Sequence, residues 1–211
     1  MRTPLLAAAP GVLRNSAAEM LDWIRAGRFI SNDELSRLAG INVGLGINPS
    51  VDWVKFRRQG KILYFPMKCI RCGDITPDTL RPLGLLEGQK LIQYQGQTYR
   101  VRCLSTSKTP SPDIPFNTSI NPPATEGSEW NDLMYPLVSP NAYKKYWRYN
   151  FVRADLGFTG DDQGSLTLTQ ETTAQGGWIY RGYDAVDKVV VGTVIGNTKL
   201  RGWRPVLELV G

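Results

Sequence analysis

Apolar and polar positions change period near residue 51. Before it, two segments read as short helices. Ser16-Ala17-Ala18-Glu19 spells a capping box, and Ala17, Met20, Leu21 and Ile24 then fall on one stripe before Gly27. Ser31-Asn32-Asp33-Glu34 repeats the box ahead of Leu35, Leu38 and Gly40. Residues 1–14 read as an arm, and residues 40–50, rich in Gly and Asn, as a linker. From Val51 the alternation is that of strands. Residues 51–56 and 61–65 predict a hairpin turning through Arg57-Arg58-Gln59-Gly60, with Gly60 taking the left-handed position. Thr76-Pro77-Asp78 predicts an N-cap with Pro at the first helical position and a short helix over 78–83. Strands follow at 90–94 and 98–104, where Tyr99, Val101 and Cys103 share one face and Arg100 and Arg102 the other.

Residues 105–125 carry five prolines and read as a long irregular excursion, a kind of loop that is usually functional or packed on a neighbour. Helical period returns over 129–137, with Trp130, Leu133, Met134 and Leu137 on one face, and Tyr143, Tyr146, Trp147 and Tyr149 form an aromatic patch after it. Strands are predicted at 166–170, 178–181 and 189–194, and the run Trp203 to Val210 reads as a closing strand. The pattern as a whole is α+β, with a β-rich body.

Composition narrows the picture. The 211 residues are 42% hydrophobic and 21% charged, enough for a real core in one large domain, or one domain plus an arm. No apolar stretch approaches the length that spans a bilayer. The apolar run at residues 5–9 is cut short by Pro10, which argues against a cleaved leader. The formal net charge of +6 permits an acidic partner without demanding one. The one tight basic cluster, Lys55, Arg57, Arg58 and Lys61, reads first as a solvated hairpin tip, so nucleic acid is not the expected partner.

The chain has no histidine, which removes the usual general base and the commonest metal ligand. Its three cysteines are Cys69, Cys72 and Cys103. Cys69-Ile70-Arg71-Cys72 has the CxxC form, open to a zinc site, a redox pair, a disulfide or inert buried thiols. A zinc site lacks an evident fourth ligand, and the Gly73-Asp74 that follows suits a turn better than the helix a redox motif opens. Asp161 and Asp162 are the carboxylates a hydrolase would use, but they sit in a Gly-rich turn where Asp is common. No cofactor, metal or catalytic residue is expected.

Four segments together carry a family resemblance. They are Trp53-Val54-Lys55-Phe56 with Gly60-Lys61-Ile62-Leu63-Tyr64; Tyr99-Arg100-Val101-Arg102; Glu129 to Leu137; and Arg201 to Leu209. Over residues 51–211 the chain resembles tailed-bacteriophage virion proteins with a C-type-lectin-like C-terminal domain, similar to formylglycine-generating enzymes and phage tropism determinants. The resemblance implies residues 1–50 as a docking arm with two short helices and 51–211 as the lectin-like domain, with Trp203, Val206 and Leu207 in its core and Arg204 holding loop carbonyls or a carboxylate. Trp130-Asn131-Asp132 spells a calcium-lectin motif but lies in a helical pattern with no preceding EPN loop. The oxidase cysteine pair has no counterpart, because all three cysteines precede residue 104.

The resemblance therefore implies a non-enzymatic structural protein of the virion, assembled in the host bacterial cytoplasm. It would make protein–protein contacts with other virion proteins as a homo-oligomer, in the tail, baseplate, neck, fibre or capsid surface. The alternative is an adhesin binding a host-surface glycan or protein. Its candidate surface is residues 175–183, where Trp178, Tyr180, Arg181 and Tyr183 cluster.

Overall fold

The computed structural model describes residues 18–105, 118–119, 127–138, 151–173 and 175–210. The 1–14 arm, most of the 105–125 excursion and the Tyr143, Tyr146, Trp147 and Tyr149 patch lie outside the described residues. Among the described residues, strands and helices combine in an α+β architecture built on two sheets, of six and seven strands.

The first sheet has six strands, all paired antiparallel. Its order is β1 (Ala18–Ile24), β3 (Trp53–Arg58), β4 (Lys61–Pro66), β13 (Val206–Leu209), β7 (Gln97–Arg102), β6 (Lys90–Tyr94). The second has seven short strands. Its order is β2 (Leu45–Gly46), β5 (Arg71–Cys72), β12 (Arg201–Trp203), β9 (Leu166–Thr172), β10 (Trp178–Gly182), β11 (Lys188–Val191), β8 (Thr118–Ser119), with β12 parallel to β9.

The expected closing strand is two strands in two different sheets. The chain leaves the second sheet at Trp203 and enters the first at Val206. Pro205 has no N–H to give a ladder, which suits it to the crossing between them. Trp203, Val206 and Leu207 are fully buried, as expected.

The largest correction is the first element. Residues 18–24 form a strand, not the capped helix that the stripe over Ala17, Met20, Leu21 and Ile24 predicts. They pair antiparallel with β3, from Ala18↔Arg58 to Ile24↔Trp53, and the register shifts between Met20 and Asp22. That irregularity switches the parity of the strand: Ala18 and Met20 pack on one side of the sheet and Ile24 on the other. An alternating pattern interrupted once imitates helical spacing, and pairing to the edge of β3 outweighs the local signal. The expected boundary at residues 50 and 51 falls inside this sheet, because β1 and β3 are neighbours within it. The expected linker 40–50 carries β2 and the buried Ile41.

Other signals appear where they are expected. Helix α1 (Asn32–Ala39) starts at Ser31, whose side chain accepts from the Glu34 N–H, and ends at a left-handed Gly40. Gln59 and Gly60 both take positive φ in the hairpin turn. Helix α2 (Pro77–Leu80) is capped by Thr76 and is shorter than predicted. Residues Trp130–Met134 form a single π-helical turn that continues as α3 (Tyr135–Val138).

The six-stranded sheet is buried on both faces. On one side Trp53, Tyr64, Tyr99, Val101 and Leu207 meet α1 residues and β9–β10 residues in the main core. Phe29 sits among Trp53, Tyr64, Tyr94 and Tyr99 with ring centroids 4.9–6.0 Å away. On the other side Val54, Phe56, Leu63, Phe65 and Val206 pack against Trp130, Leu133, Met134 and Leu137.

Candidate functional site: charged groups behind the closing strand

The four adhesin candidates do not share a surface. Trp178 is partly buried, with the Arg81 guanidinium 5.0 Å from its ring centroid. Tyr180 is buried, and its hydroxyl donates to the Ile75 carbonyl at 2.7 Å. Arg181 is also buried and pairs with Glu171. Tyr183 is partly buried, holds a strained positive φ of 92°, and donates to Asp161 at 2.6 Å. Only Trp178 and Tyr183 of the four reach solvent.

The concentrated electrostatics lie elsewhere, on the helix-facing side of β4, β7 and β13. Sheet alternation that puts Tyr99, Val101 and Cys103 into the main core sends Arg100 and Arg102 the other way. There Arg102 meets two carboxylates. Its Nη1 and Nη2 donate to Glu129 at 2.6 and 2.7 Å, and its Nε donates to Glu208 at 3.1 Å. Glu129 also accepts the Ser105 N–H at 2.7 Å and lies 3.7 Å from Arg58. Arg58 in turn pairs with Asp132 at 2.8 Å and donates to the Gly127 carbonyl at 2.7 Å. Lys61 and Arg100 lean from the rim onto Glu208 Oε1 at 2.9 and 3.1 Å. Arg58, Arg102, Glu129, Asp132 and Glu208 are all buried.

The energetics follow from this geometry. Burial alone raises the Glu129 carboxyl pKa, but the Arg102 hydrogen bonds and charge, the Ser105 N–H and the Arg58 charge outweigh it and hold the group below its ordinary range. Glu208 shows the same balance: burial raises it, and Lys61 and Arg102 bring it below the usual value. Burial lowers Arg102, but Glu129 and Glu208 more than offset this and raise it. Glu171 behaves in the opposite way. Burial raises it, and Arg181 and Ser128 do not compensate fully, so its carboxyl stays above the ordinary range. The two buried acid–arginine sites thus differ in how well their charges are satisfied.

This network is what reading by residue type missed. Its trace in the sequence is Glu208, the one acidic residue in an otherwise apolar closing strand, opposite the arginines of a half-buried strand. The expected solvated cluster is also divided. Arg57 is exposed and pairs with Glu19 at 3.2 Å, whereas Arg58 is buried in the network. In Trp130-Asn131-Asp132 the indole donates to the Val186 carbonyl at 2.7 Å and Asp132 is held by Arg58, so both side chains serve packing and pairing. Arg204 donates to the Leu156 carbonyl, one of the partners expected for it.

No family model, curated protein or solved structure matches the chain.

Cys69, Cys72 and Cys103 are free and buried. Among the described residues, no group of three or more Cys, Asp or Glu has an arrangement that could hold a metal. No helix among them is long and apolar enough to cross a membrane. A polar cleft of about 360 Å³ runs past Trp23, Arg25, Asp52, Lys68 and Asp155. Its Asp52 is already engaged by the Trp23 indole at 2.8 Å and by Arg25 at 3.3 Å.

Proposed function

We propose that the chain is a non-enzymatic structural component of a bacteriophage virion, which makes protein–protein contacts in the particle through a C-type-lectin-like body. The observation that carries this reading is the network through Arg58, Asp132, Glu129, Arg102 and Glu208. Its Glu129 and Glu208 carboxylates are pinned by arginines and held below the ordinary carboxylate range. A general acid needs the reverse, a carboxyl poised near the working pH. Charge pairs that connect the β3–β4 hairpin, the π-helical turn, β7 and β13 brace a scaffold.

A second observation agrees with it. Most of the segments that carry the family resemblance adjoin one another: β3, β4, β13 and β7 are consecutive strands of one sheet and the turn from Glu129 docks on them, while Arg201–Trp203 lies in the other sheet. The adhesin alternative is reduced to Trp178, with Arg81 beside it, and Tyr183. Quantitative mass spectrometry of particles purified from the encoding phage tests the proposal. Copies in fixed stoichiometry to a known particle protein are expected, and absence from the particle would overturn it. Glycan-array binding lost in Trp178→Ala and Tyr183→Ala would instead favour the adhesin.

A further inference from the structure

The apolar layer on the helix-facing side of the six-stranded sheet takes in β1, β3, β4 and β13 but no residue of β7 or of the edge strand β6. The alternation that sends Arg100 and Glu208 to that side sends Leu91 there too, because Leu91 pairs across from Arg100. Val210 follows two residues after Glu208, and its N–H donates to the Thr98 carbonyl at 3.0 Å. Leu91 is 52% exposed and Val210 40%, two of the four large apolar side chains that stand in solvent among the described residues. Arg100 and Lys61, 38% and 55% exposed, both reach Glu208. The Arg100 stem is packed, since a Cβ on Gly88 would lie 2.8 Å from its Cδ. With the buried Arg58 and Arg102, four cations here meet three carboxylates, Asp132, Glu129 and Glu208. The surplus positive charge lies at the exposed rim, beside exposed apolar side chains, which is the make-up of an interaction surface.

The same chain carries the complement. The loops at residues 152–162 and 183–187 are tied together. Arg153 Nη1 donates to the Asp184 carbonyl at 2.9 Å, the Tyr183 hydroxyl to Asp161 at 2.6 Å, and the Gly160 N–H to the Tyr183 carbonyl at 2.9 Å. Between residues 152 and 188 the charges that reach the surface are Asp155, Asp161, Asp162, Asp184 and Asp187 against Arg153 and Lys188. Glu171 and Arg181 are buried and pair with each other. Among the described residues, none of those five aspartates joins an ion pair, and none of the ion pairs joins the two faces. Val152, 61% exposed, stands in the same loops. A chain of net charge +6 therefore keeps one locally acidic face with an apolar side chain in it. It matches the cation-rimmed face around Leu91 in kind and opposes it in sign.

We propose that these two faces bind each other between copies of the chain. The Leu91, Arg100 and Val210 face of one copy docks on the Asp155, Asp162 and Asp187 loops of a second. Complementary charge steers the encounter and sets the register, and Leu91, Val210 and Val152 supply apolar surface to bury. The two faces are unlike, so a head-to-tail contact between them closes into a ring or runs on as a filament, as the rotation between copies dictates. The charges are exposed, so the contact weakens with salt as the screening length falls below about 10 Å. This contact rests on the structural reading above and names a second copy as its partner. The two fail separately: self-association is measured on the purified chain, without a particle.

Sedimentation velocity of the full chain over a range of concentrations, at low and at high ionic strength, tests it. Wild type should self-associate, and more weakly in high salt. Leu91→Glu places a carboxylate across from Arg100 and removes the apolar contact, while the partners of Glu208 stay in place. Asp162→Lys with Asp187→Lys reverses the acidic face at positions that make no side-chain ion pair among the described residues. Each variant alone should weaken self-association roughly a hundredfold, because like charges then face each other. An equimolar mixture of the two should associate again, since the reversed faces complement one another, and circular dichroism checks that both variants fold. A wild type that stays monomeric at millimolar concentration, or a mixture no more associated than its components, would overturn the proposal. A monomeric wild type whose Leu91 and Arg100 amide resonances shift on addition of poly-L-glutamate would overturn it too, and assign the face to a different acidic protein.

Discussion

Glu129→Gln is the sharpest perturbation of the buried network. The carboxylate is 2% exposed and accepts from both terminal nitrogens of Arg102 and from the Ser105 N–H, with Arg58 3.7 Å away. Glutamine keeps the shape and one acceptor oxygen. It removes the charge that balances two buried guanidinium groups and turns an NH₂ toward one of them. Breaking a buried pair by removing one partner costs about 3–5 kcal/mol, because the other charge stays desolvated. For a chain of this size that corresponds to a fall in Tm on the order of 10 °C. Urea unfolding at neutral pH, extrapolated linearly to water, measures it directly. A cycle with Arg102→Gln should show a coupling of roughly 0.5–3 kcal/mol between the two positions. A loss under about 1 kcal/mol, the scale of an exposed pair, would refute the reasoning and mean that water reaches Glu129.

Other outcomes follow from the same geometry. Glu171→Gln should cost less than Glu129→Gln in the same urea assay, because the fold raises the Glu171 carboxyl pKa and leaves its Oε1 without a partner among the described residues. Glu129 and Glu208 have folded pKa values below the ordinary 4.5, so their stabilisation is complete above that value and is lost as pH falls through the folded values. Acid titration of Tm should show this loss below pH 4.5, and Glu208→Gln should make the curve shallower. Gly202→Ala would place a Cβ 2.5 Å from Cys69 Sγ and 2.8 Å from the Leu166 carbonyl oxygen, so thermal melting should report a loss of about 1–3 kcal/mol or more. Ser31→Ala removes the cap of α1 and should lower stability by about 1 kcal/mol by chemical denaturation.

Elements governed by local chemistry were readable from the sequence. Ser31 with Gly40, Thr76 with Pro77, and Gln59 with Gly60 act through their own backbone neighbourhood, and each appears where its residue type points. Residues 18–24 were misread because their apolar spacing fits a helix, while the fold uses them as an edge partner of β3, a non-local demand. Tyr180 and Arg181 look like exposed recognition residues in a list of aromatics and cations. The position of β10 between β9 and β11 buries them. The Arg102–Glu129–Glu208 site unites residues far apart along the chain, brought together by the register of β7 against β13 and by the docking of the turn from Glu129. No local pattern encodes that register. Arg204 was legible in part: the resemblance implied loop carbonyls or a carboxylate as its partners, and it donates to the Leu156 carbonyl.

A cryo-electron microscopy map of an intact particle of the encoding phage is the most direct test of the proposed structural role. The account predicts density for a body of one six-stranded and one seven-stranded sheet, repeated by the symmetry of the particle and in contact with neighbouring virion proteins. A complete map in which every chain is assigned and this body is missing would contradict it.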